Sequence, residues 1–183
     1  MTTHRLTLHP HEVAAFRDGS ATAIVRPCVP QPGDKATFYH THGAIYLAGG
    51  DSIPCPFGVP GDVLKLLTPS EVMDADPDAD ISIIRRTVAD VRCVRVGDLT
   101  HEQIMATGYV DEFDADGPAW APSLDNQKRP LERDSFGPLV QCGSGVCGSS
   151  SEAFGLVWDA TYGDEPALRV EANPWVFVAE VTT

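Results

Sequence analysis

The chain has 183 residues, with 26 Asp and Glu against 13 Lys and Arg, a formal net charge of -13. That balance argues against an indiscriminate nucleic-acid binder, whose affinity comes mostly from cations neutralising phosphates, although it leaves room for a local basic groove. A hydrophobic fraction of 43%, and no apolar run near the ~18 residues that span a bilayer, predict a soluble globular protein with no membrane partner. The N-terminal Met1-Thr-Thr-His-Arg5 has no signal-peptide apolar core, so a cytoplasmic protein is expected. One domain over residues 1–183 is the expected count.

In chain order, Arg5 to His9 alternates and predicts a first strand. Pro10 suits a first helical position, and Gly19 stops the helix, which turns Val13 and Phe16 to the core. Thr22 to Arg26 predicts a strand ended by Pro27, and the proline-rich stretch from Cys28 to Lys35 predicts a loop. His40 and His42 would share a face of a strand, but no acidic or cysteine partner sits at a metal-ligand spacing, so they read as exposed histidines.

The centre of the chain is Cys55-Pro-Phe-Gly-Val-Pro-Gly-Asp62. Two prolines lock φ and two glycines accept positive φ, which predicts a compact turn. The apolar run Val63 to Thr68 then predicts a buried strand. Carboxylates at 74, 76, 78 and 80 resemble a calcium loop, but Ala79 and Arg85 occupy the positions where glycine and glutamate are needed, so an acidic solvated loop is expected.

Ile81 to Val96 is a long β-prone run whose alternation slips, which predicts a bulge or bend. Arg85, Arg86, Arg92 and Arg95 fall in it, and Lys128, Arg129 and Arg133 in a later loop; both groups read as solvated charge. Thr100 to Gln103 is a capping box opening a short helix, with Gly108 at its stop. From 111 to 148 no period holds, and a long loop insert is expected. Ser149 to Glu152 opens another helix, through Thr161, with Phe154, Val157 and Trp158 at core spacing. Asn173 to Val181 predicts a last strand with Trp175, Phe177 and Ala179 on one face.

Five cysteines without a secretory signal argue against a disulfide framework, and Cys93 reads as a small buried hydrophobe. Cys142 and Cys147 are spaced to serve a structural zinc, but a second pair is missing, and no other cofactor is expected. Many strands, few short helices and no βαβ rhythm predict a mainly β, α+β fold: a partly open β-barrel with peripheral helices.

Taken in order, the segment ending Arg17-Asp-Gly19, the Pro27 loop, Cys55 to Asp62, Val88 to Arg92 leading to Asp98-Leu-Thr, and Val157-Trp-Asp159 with Glu171 to Val178 resemble ASCH domains of the PUA-like superfamily, in their phage- and prophage-associated branch. The resemblance covers most of the chain outside 111–148 and implies a PUA-like barrel, a class associated with RNA and modified nucleosides. In family members that look like amidohydrolases on acylated cytidine, a lysine, a threonine and a glutamate form the proposed catalytic set. The corresponding positions here are Ala21, Ile24 and about Thr68. Alanine and isoleucine neither transfer a proton nor attack a carbonyl, so that chemistry does not carry over.

The leading expectation is therefore a non-catalytic binding module for RNA or a nucleotide-type ligand. Its pocket would lie between residues 19–26 and 63–68, with Gly19, Arg26, Lys65, Thr68 and Glu71 around it and Trp120 stacking from the insert. Arg26 either contacts the ligand or pairs with a carboxylate that holds the barrel, and the sequence leaves both open. The alternatives are a protein-interaction module, engaging a host protein through the acidic surface and the 111–148 insert, and a diverged amidohydrolase using Lys65 or Glu71.

Overall fold

The computed structural model describes residues 1–33, 39–41, 44–46, 52–68, 84–114, 117–122 and 149–183. Its centre is an open five-stranded sheet in the order β1 (Thr3–Thr7), β6 (Val63–Leu67), β7 (Ile84–Arg95), β10 (Trp175–Thr182) and β2 (Ala23–Pro27). Only the β1–β6 pairing is parallel. Helix α1 (Pro10–Asp18) joins the two edge strands. Strands β3 (Tyr39–Thr41), β4 (Ala44–Tyr46) and β5 (Ser52–Pro54) form a small antiparallel sheet. Helices α2 (His101–Ala106) and α3 (Ser150–Tyr162) and the hairpin β8 (Tyr109–Asp114)–β9 (Gly117–Pro122) complete an α+β fold in which strands outnumber helices among the described residues. No helix among them is long and apolar enough to cross a membrane.

Strand alternation divides the apolar residues between two cores. On one face of the sheet Ile24, Leu64, Leu66, Val88, Val91, Phe177 and Ala179 pack with Phe16 and Phe57. On the other face Val25, Val176 and Val178 meet Ile104 of α2 and Phe154, Val157 and Trp158 of α3. The two faces of β10 are therefore both buried, with Phe177 and Ala179 on the face expected for them. The expected slip in β7 is a bulge: Val88 pairs with Val181 and Asp90 with Glu180, leaving Ala89 as the extra residue. Because of it Val88 and Val91, three residues apart, face the same core.

The turn from Cys55 to Asp62 is compact as expected. Gly58 and Gly61 have φ of +75° and +92°, and Phe57 is fully buried. Asp62 closes the turn by accepting hydrogen bonds from the backbone N–H of Thr2 and Val59, and its Oδ2 lies 3.1 Å from His4 Nε2. A Cβ on Gly58 would collide with His4 and Asp62, so glycine here also satisfies a close approach.

Several expectations are corrected. The first strand runs from Thr3 to Thr7 because His9 becomes the N-cap of α1. The strand after the turn is buried on one face alone: Leu64 and Leu66 are covered while Val63, Lys65 and Leu67 are half-exposed. The stretch expected to be loop from 111 begins instead with the second half of β8 and with β9, whose acidic and proline-rich residues carry little β-propensity. Residues 123–148 lie outside the described residues.

Candidate functional site

Helix α1 begins at Pro10, so Glu12 stands at its third position, where a carboxylate can reach back to the N-cap. It does so: Glu12 Oε2 accepts from the His9 backbone N–H at 2.7 Å. Helical spacing also puts Glu12 on the face of Ala15 and Phe16, and all three are buried. A buried carboxylate requires a cation, and Arg26 of β2 supplies it. Its two terminal nitrogens meet Glu12 Oε1 at 2.6 Å and Oε2 at 2.7 Å, a bidentate pair. Arg26 also donates to the carbonyls of Val25 at 2.8 Å and Thr7 at 3.2 Å.

Around this pair lies a shallow cleft between α1, β2, β8 and α3 whose interior has room for about one water, about 350 Å³ being reached only when the open solvent at its mouth is included. His9 and His11 form one rim, their rings stacked 5.7 Å apart. His9 Nε2 is 2.7 Å from the Tyr162 hydroxyl. The far wall is aromatic: Tyr109 lies against Phe154, Phe154 against Trp158, and Trp158 against Tyr162, with the last ring centroids 4.5 Å apart. The Trp158 indole N–H donates to the Leu168 carbonyl at 2.6 Å, which holds the ring in place.

The electrostatics of the cleft follow from burial and from the ion pair. Burial alone would raise Glu12, but the Arg26 guanidinium bonded to it holds the carboxyl below its usual range. Arg26 is raised in turn, burial being outweighed by Glu12. Burial, with Arg26 nearby, lowers His9 to about 4, and burial lowers His11 as well. Burial raises Tyr162 to about 12. At neutral pH the cleft thus holds one internally balanced ion pair, neutral imidazoles and a neutral phenol.

This arrangement makes stability acid-sensitive. The His9 pKa is depressed in the folded state, so between about 6.5 and about 4 the unfolded chain binds more protons than the folded one. Its contribution is complete above pH 6.5 and is lost as pH falls through 4. The melting temperature should therefore drop steadily from pH 6.5 to 4 in the wild type and less steeply in His9→Gln. Parallel curves for the two proteins would refute the assignment.

The structure disperses most of the residues expected at the site. Arg26 is in the cleft, but as the partner of Glu12. Gly19 is the left-handed C-cap of α1 at φ +83°, away from the cleft lining. Lys65 lies on the β6 face opposite the buried Leu64 and Leu66, and β7 and β10 separate its strand from β2, so it does not join Arg26. Thr68 is buried at the end of β6 and does not line the cleft. Ala21 and Ile24 are core residues at 1% and 0% exposure. Trp120 is in β9 opposite Asp111, while Glu71, Cys142, Cys147 and His42 lie outside the described residues. Of the residues expected around a pocket between 19–26 and 63–68, Arg26 is the one that lines the cleft between α1 and α3 among the described residues.

Sequence reasoning passed over His9, His11, Glu12, Tyr109 and Tyr162. The available signal was Glu12 on the apolar stripe of α1, together with Arg26 in the apolar run Ala-Ile-Val-Arg. Cys28, Cys55 and Cys93 are free thiols, and Cys93, expected to be buried, is half-buried and packs against the first core. Among the described residues no group of three or more His, Cys, Asp or Glu is placed to hold a metal. No protein-family model matches this chain, and neither a curated protein nor a solved structure matches it, so the cleft is interpreted from its own chemistry.

Proposed function

We propose that this protein is a non-catalytic binding module of the ASCH, PUA-like type, and that the rim of the α1–α3 cleft, at His9 and Tyr162, takes the base of a nucleoside-type ligand, free or within RNA. The observation that carries the reading is a charge-balanced cleft with an aromatic wall and a neutral His9–Tyr162 pair at its rim. A planar heterocycle can lie against the half-buried His9 and Tyr162 rings and exchange hydrogen bonds with imidazole and phenol. Among the described residues a phosphate finds no free cation there, because Glu12 and two carbonyls occupy Arg26. The burial of Ala21 and Ile24 in the core supports a role without catalysis. The Arg26 bond to Thr7, from one edge strand of the sheet to the other, supports a sheet curled toward a partly open barrel.

Calorimetric titration with modified and acylated nucleosides and their 5′-monophosphates tests this. A nucleoside should bind, its monophosphate no more tightly, and Tyr162→Phe should lower affinity about tenfold, the equivalent of about one hydrogen bond. Absence of binding at millimolar concentration, or hydrolysis of an acylated nucleoside, would overturn the reading.

A further inference from the structure

The sheet carries a second feature, on the face that α2 and α3 cover only in part. Those helices pack on Val25, Val176 and Val178, and the half of the face formed by β7, β6 and β1 bears a row of cations. Arg5 of β1 is in register with Lys65 of β6, and Lys65 with Arg85 of β7. All three point away from the Leu64 and Leu66 core, with Arg5 and Arg85 exposed and Lys65 half-exposed. Strands lie about 5 Å apart, so three positive groups span roughly 10 Å.

Like charges directly opposite each other on a sheet repel, and this chain has twice as many acids as bases with which to relieve them. Arg92, the next arginine on the same face of β7, is relieved: Asp90 and Glu180 lie 2.7 and 2.9 Å from its guanidinium. Among the described residues Arg5, Lys65 and Arg85 have no such counter-ion. The neighbouring rows are Thr3, Val63 and Thr87 on one side and Thr7 and Leu67 on the other, so hydroxyls flank the cations, and among the described residues these rows hold no large aromatic anchor.

We infer that the row Arg5–Lys65–Arg85 is a docking surface for the phosphodiester backbone of a nucleic-acid strand. Two guanidinium forks flanking an ammonium match phosphate oxygens. A face without an aromatic or deep apolar anchor positions a backbone and does not read bases. The surface is separate from the cleft. It does not depend on the nucleoside reading, and Tyr162→Phe should leave it unchanged.

The test is fluorescence anisotropy of a labelled single-stranded RNA of about twelve nucleotides, titrated between about 25 and 200 mM salt. Three phosphate contacts predict a slope of log affinity against log salt near -2, from about 0.7 per contact. In the triple variant Arg5→Gln, Lys65→Gln and Arg85→Gln, affinity at the lowest salt should fall at least about tenfold and the slope should collapse toward zero. Arg17→Gln, at the exposed end of α1, should change neither, and thermal melts should show all variants folded. The inference is overturned by an absence of binding at the lowest salt or by a triple variant with wild-type affinity and slope. It is also overturned if an oligo-aspartate of equal charge competes as well as RNA, since the face would then select charge alone.

Discussion

Replacing Glu12 with Ala is expected to destabilise the protein by about 3–5 kcal/mol, the usual cost of removing one member of a buried ion pair. The cost arises because the Arg26 guanidinium stays behind, enclosed and without its carboxylate. The His9 backbone N–H at the start of α1 loses its acceptor in the same substitution. Arg26→Ala should cost a similar amount, because Glu12 is then the unpaired charge and the Thr7 and Val25 carbonyls lose a donor. The double variant Glu12→Leu, Arg26→Met should recover most of the loss, since two apolar groups of similar volume leave no charge to desolvate. Urea unfolding of the wild type, the single variants Glu12→Leu and Arg26→Met and their combination closes a double-mutant cycle. A Glu12→Ala loss under about 1 kcal/mol, or strictly additive single losses, would show that water reaches the pair and that the cleft is more open than its geometry indicates.

Phe57→Ala is expected to cost about 3–5 kcal/mol, through lost transfer energy and the cavity left behind. Phe57 is fully buried although it sits in a turn, where side chains ordinarily face solvent. The surrounding backbone has little freedom to collapse into the space. Gly58 and Gly61 hold positive φ, Gly61 donates to the Val88 carbonyl at 2.8 Å, and Asp62 binds the chain on both sides. The comparison is Val29→Ala, at a residue 64% exposed, which should change stability by less than about 0.5 kcal/mol. A small Phe57→Ala effect with an unchanged urea dependence would mean that the turn closes over the cavity.

Local rules written in adjacent residues were legible without coordinates. Pro10 and Gly19 bound α1, Thr100 with Gln103 opens α2, and Ser149 caps α3 through the Glu152 N–H. The two-residue period of the last strand allots Phe177 and Ala179 to one core and Val176 and Val178 to the other. The slip in the long strand marked the bulge at Ala89. Each of these depends on neighbours within one turn or one strand, which is the range over which backbone geometry couples residues.

Only the tertiary structure decided what depends on distant residues meeting. The Glu12–Arg26 pair joins a helix to a strand, the His9–Tyr162 pair joins positions 153 apart, and the Arg5–Lys65–Arg85 row exists only once β6 lies between β1 and β7. In the sequence Arg26 admits either a ligand or a carboxylate partner, because an arginine's role is set by which charge shares its burial. By itself the sequence determined where most of the helices and strands lie and which way their apolar faces turn. The sheet order and the enclosure of Glu12 with Arg26 determined where the cleft is and what charge it presents, because pairing register and desolvation are properties of the assembled chain.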